Sequence, residues 1–151
     1  MKRTGFTLIE LLLTVSIILV VGLLSTGFYA RFLSQNSTIN AVNQLAADFR
    51  KAQMYSMMGK YSGSYQTWGV HYASNKITLY LSDSAQSNLY NSRNTAFDEI
   101  YTVPSNVTIF GFADVYFARV TGLPSATQSI TISSGSTTRT ITINSQGVVN
   151  R

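Results

Sequence analysis

Cysteine is absent from all 151 residues, so disulfides, thiolate metal sites and thiol nucleophiles are excluded and the fold must hold by packing alone. Proline occurs only twice, first at Pro104, so no proline breaks a helix in the first two-thirds of the chain. Histidine occurs once, at His71, and nothing selects one of the many serines as its partner, so there is no catalytic constellation and an enzyme is not expected. Charge is scarce, at 11% against a usual value of about 25%, which leaves Ser, Thr, Asn, Gln and Gly to form the surface. Asp83, Asp98, Glu99 and Asp114 are scattered, without the dense oxygen-ligand alternation of a calcium loop, so neither a metal nor a cofactor is expected.

What is present is distributed unevenly. From Phe6 to Leu24 the only charge is Glu10. As a helix these 19 residues span roughly 29 Å, which matches a hydrocarbon core of about 30 Å. Lys2 and Arg3 precede the run with no acid among them, so the positive-inside rule holds the N-terminus in the cytoplasm and sends residues after about 30 outward. A cleaved secretory signal would use Ser25-Thr26-Gly27 as its small-residue site. An uncleaved anchor accounts for the length but leaves Glu10 unexplained, because a carboxylate at bilayer depth costs on the order of 2.5 to 3.5 kcal/mol.

The stretch from Lys2 to Leu11, reading KRTGFTLIEL, resembles the prepilin signal of type IV pilins and type II secretion pseudopilins. The resemblance implies a leader of residues 1–5, cleavage after Gly5 by prepilin peptidase, N-methylation of Phe6, and an assembly role for Glu10. The Phe6 ammonium freed by cleavage would neutralise a Glu10 carboxylate, most naturally that of a neighbouring subunit. The implied partners are the peptidase, other pilin subunits through the N-terminal helix, and the inner membrane. The head would be periplasmic or extracellular.

After Arg31, Phe32, Ile39, Val42, Leu45, Ala46, Phe49 and Ala52 form an apolar stripe largely at helical spacing, so one helix is predicted from about Phe6 to Met58, ending near Gly59 and Gly63. Gly22 and Gly27 are small positions where such a helix bends or admits another. Short β-prone runs follow at 67–72, 76–81, 99–103, 107–112, 115–120, 129–133, 138–144 and 147–149, with hairpin turns at Ser74-Asn75 and Ser134-Gly135-Ser136. Residues 82–98 read as a surface loop. The expected class is α+β: a membrane half-helix (6–30), an amphipathic half (31–60) packed on the head, and an antiparallel, β-sandwich-like head (61–151). Within the pilin family, the segments 45–53, 68–72 and 141–149 are similar to GspH/FimT-type minor pseudopilins.

Two features of the head invite binding roles. Tyr55, Tyr61, Tyr65, Trp68, Tyr72 and Tyr80 cluster around the first hairpin, either as core or as a sticky face for a subunit or an exported protein. Beyond Asp114 there are no acids, and Arg119, Arg139 and Arg151 give that segment a charge of +3, an alternative contact for DNA or another anionic surface. Replacing Gly5 with valine should leave the leader attached, because a peptidase that holds the scissile backbone closely has no room for a branched side chain. The mass of the purified chain checks this, and normal removal of residues 1–5 would refute it.

Overall fold

The computed structural model describes residues 6–61, 67–82 and 90–151. Gly5, Tyr65 and Asp83 therefore lie outside the described residues. Helix α1 runs from Leu8 to Met58, close to the predicted span, and eight strands follow among the described residues. The chain divides into two compact units, Met1–Leu33 and Ser34–Arg151.

In the first unit the apolar side chains of the helix are exposed, from Phe6 and Leu8 to Phe32 and Leu33. The hydroxyls of Thr14 and Ser16 donate to the carbonyls of Leu11 and Leu12 within the helix, so they need no outside partner. A Cβ added at Gly22 or Gly27 would meet nothing, so neither glycine is needed for packing within the chain.

The second unit holds the rest of α1 and two four-stranded antiparallel sheets. One has the order β3-β2-β1-β5, from Glu99–Thr102, Lys76–Ser82, Thr67–Ala73 and Asp114–Phe117. The other has the order β4-β6-β7-β8, from Thr108–Phe110, Gln128–Ser134, Thr137–Ile143 and Val149–Asn150. Both predicted hairpins form. Ser74 and Asn75 both take positive φ, at 51° and 58°, as a two-residue turn that follows strand twist requires. The second turn is tighter than predicted: Ser134 pairs with Thr137, leaving Gly135 and Ser136 as the loop, and Ile130 faces Ile141.

Both sheets and the helix share one core. From α1 it takes Ala41, Val42, Leu45, Ala46, Phe49 and Ala52. Three of these are alanines, which let the helix backbone approach the strands, while Phe49 fills the centre edge-on to Phe112 and Phe117. The buried face begins at Thr38, and Phe32 and Ile39 are exposed instead of continuing the predicted stripe. Thr38, Ala41, Leu45, Phe49, Ala52 and Ser56 lie along the middle of the buried arc with Val42 and Ala46 on one flank, and Ile39 stands at the rim beyond Ala46. At its end α1 closes in a Schellman motif, with Gly59 at φ 60° donating to Ser56 O and Lys60 donating to Tyr55 O.

Asp48 is buried on α1 and accepts one hydrogen bond, from Gln44 Nε2 at 3.0 Å. Burial pushes its carboxyl up to about 6, against the lowering effects of Gln44 and Lys51. A raised carboxyl means the folded chain holds the proton longer than the unfolded one, so stability falls as pH rises through the window from about 4 to about 6. Asp48→Asn should therefore be more stable than the parent by roughly 2 kcal/mol at pH 8 and gain little at pH 4. Denaturant melts at both pH values measure this, and an equal difference at the two would contradict it.

Candidate functional site

At the start of α1, Thr7 and Glu10 cap each other. Thr7 Oγ1 accepts from the Glu10 amide at 3.3 Å, and Glu10 Oε2 accepts from both the amide and the hydroxyl of Thr7 at 3.3 Å. This is the reciprocal Thr-x-x-Glu capping box at the helix start, where the Glu10 amide also donates to Thr7 O at 3.1 Å. All three bonds are long, and they lie on exposed residues. The carboxylate is thus tied to its own chain without being enclosed. Phe6, the next residue toward the N-terminus, is also exposed. The sequence itself carries this cap signal in the pattern Thr7-Leu8-Ile9-Glu10, which was not among the features read from it above.

The three C-terminal arginines do not form one patch. Arg139 on β7 and Arg151 both line a groove of about 330 Å³ together with Ile39, Val42 and Thr140. Arg151 is anchored there by donating to Asn43 Oδ1. Arg119 follows β5, next to Val120, whose amide donates to Ser56 O. Asn43 and Ser56 are 13 residues apart on α1, or roughly 20 Å, so Arg119 belongs to a different part of the head.

His71 belongs to a polar layer on the outer face of the first sheet. In register it faces Thr78 on β2 and Asp114 on β5. Its Nδ1 lies 3.9 Å from Asp114 Oδ1, too far for a hydrogen bond. Asp114 instead accepts from Tyr80 Oη at 2.8 and 3.1 Å. Burial lowers the imidazole's affinity for a proton and raises that of the Asp114 carboxyl. Tyr90 stacks on His71 at 3.5 Å and Arg93 lies over Tyr90 at 3.9 Å, with Arg93 Nε paired to Asp98 Oδ2 at 2.8 Å. The Tyr80 ring crosses Gly69, its cross-strand partner, where any Cβ would come within 2.5 Å of the phenol oxygen. These contacts fasten the segment 90–98 over the sheet.

Asp98, Glu99 and Asp114 are held in three separate pairings, with Arg93, Lys51 and Tyr80, and no metal-ligating cluster of three occurs among the described residues. Of the aromatic cluster, Trp68 and Tyr80 are buried, Tyr55 and Tyr72 pack on the core, and Tyr61 is exposed. Most of that cluster is therefore sheet and core.

Residues 1–26 match the family described as the prokaryotic N-terminal methylation motif, an interval that contains Gly5, Phe6, Thr7 and Glu10. The fold is similar to the crystal structure of the type IV minor pilin FimU of Pseudomonas aeruginosa PAO1. The TM-score is 0.58 at 10% identity, over 77% of this chain and 88% of that one. No curated protein matches the chain in sequence.

Thr7→Val should remove the hydroxyl half of the capping box while retaining a side chain of similar volume, at a cost to helix start of about 1 kcal/mol. Amide hydrogen exchange in micelles should speed up for residues 8–11 and stay unchanged in the head. Unchanged exchange at 8–11 would show that Thr7 does not cap.

Proposed function

We propose that this chain, which carries the N-terminal methylation signal on the type IV pilin fold, is a structural subunit of the minor pilin or pseudopilin kind. Prepilin peptidase cuts after Gly5, Phe6 is N-methylated, and the mature subunit enters a type IV pilus or type II secretion pseudopilus. Before assembly the helix stands in the inner membrane with the head outside. Within that family its segments 45–53, 68–72 and 141–149 are similar to GspH/FimT-type minor subunits.

The observation that carries this proposal is the pairing of an exposed, apolar first unit with a lone carboxylate in its first turn. Such a surface is stable only in lipid or against other apolar helices. In either setting an unpartnered acid costs several kcal/mol. Thr7 gives Glu10 a local partner while the subunit stands alone. In a filament the Phe6 ammonium of a neighbour supplies a stronger, oppositely charged one, so the pair sets the axial register between subunits. The head contributes no chemistry to this role and presents a surface.

Glu10→Ala should insert and be cut normally yet fail to enter filaments. Mass spectrometry of the mature N-terminus should find methylated Phe6 in parent and variant alike, and sheared-filament fractions should contain only the parent. Incorporation of the variant at the parental level would refute the assembly role, and an intact Met1 in the parent would refute the processing.

A further inference from the structure

The groove beside α1 combines apolar and cationic lining. Ile39 and Val42 supply apolar surface, Arg139 and Arg151 the charge, and Thr140 a hydroxyl. Neither arginine has a carboxylate partner among the described residues; Arg151 is fixed by the neutral Asn43. We propose that this groove docks an acidic segment with an aliphatic side chain from a different subunit of the same filament, an inference that rests on the filament-subunit role.

Charge complementarity selects the occupant. A groove whose two guanidiniums have no carboxylate in ion-pair range among the described residues favours one from outside, which a guanidinium can bind through two parallel hydrogen bonds. Ile39 is the residue that leaves the core-facing stripe, and as an exposed aliphatic side chain at the groove it gains only if something apolar covers it. A second copy of this chain is a poor donor of the acid. Of its six acidic side chains Asp83 is outside the described residues, Glu10 is held by Thr7 and, in the proposed filament, by a neighbour's Phe6 ammonium, and the other four are engaged within their own chain: Asp48 by Gln44, Asp98 by Arg93, Glu99 by Lys51 and Asp114 by Tyr80. Duplex DNA would satisfy the arginines but leave Ile39 uncovered. An acidic peptide with an aliphatic side chain uses all parts of the groove.

The test is fluorescence anisotropy on the full mature chain in detergent micelles, with three labelled peptides and a short labelled duplex DNA. The peptides alternate Glu with Leu, Glu with Ser, and Lys with Leu. The Glu/Leu peptide should bind best. Its affinity should fall about tenfold in the Arg139→Gln, Arg151→Gln double variant and about fivefold in Ile39→Ser, all three being exposed positions whose replacement leaves the core intact. Equal binding of the Glu/Ser peptide, of the Lys/Leu peptide or of the duplex overturns the proposal, as does unchanged affinity in the double variant. Cleavage after Gly5 is read separately by mass spectrometry on the same preparations. A failed groove with a correctly cut N-terminus thus leaves the filament role standing.

Discussion

Between Leu8 and Met58 every interior backbone amide is paired within one helix, so the backbone demands no further partner in hydrocarbon or in protein. Side chains alone decide what covers each stretch. Up to Leu33 the described side chains are mostly apolar and exposed, a surface suited to lipid or to other apolar helices. From Thr38 to Ser56 they present one narrow face of small and large residues to two sheets. The same secondary structure thereby serves two solvents without a break, and the near absence of proline is what permits it.

Glu10 is where that constraint meets the proposed function. A carboxylate in an apolar helix needs a partner wherever the helix goes, and the Thr7 capping box supplies one that is local and long. In the proposed filament a charged amine from a neighbour would compete for the same oxygens with a stronger, charge-assisted bond. The cost of an unpaired charge in a dry environment makes such a contact selective about register.

The head is built on a different economy. Its inner sheet faces and the α1 stripe form one continuous core. The outer face of the first sheet carries a second, polar layer in which Tyr80, His71, Asp114, Tyr90 and Arg93 lock the segment 90–98 in place. The only histidine of the chain is absorbed by this layer, stacked under Tyr90 instead of facing a nucleophile. That explains why a residue often associated with chemistry is here a packing element.

Local pattern by itself determined the long helix, the eight described strands within one to three residues at their ends, and the two hairpin turns, and a short contiguous motif marks Gly5, Phe6 and Glu10 as the proposed processing and assembly positions. Those features depend on hydrophobic period, turn chemistry and a short contiguous motif, all of which act between near neighbours in the chain. Only the tertiary structure decided that Ile39 leaves the core stripe, that Arg119 parts company with Arg139 and Arg151, and that His71 lies between Tyr90 and Asp114. Each of these depends on which distant strand is brought beside which helix turn. Arg151 meets Asn43 across 108 residues, and no local periodicity encodes a contact at that separation.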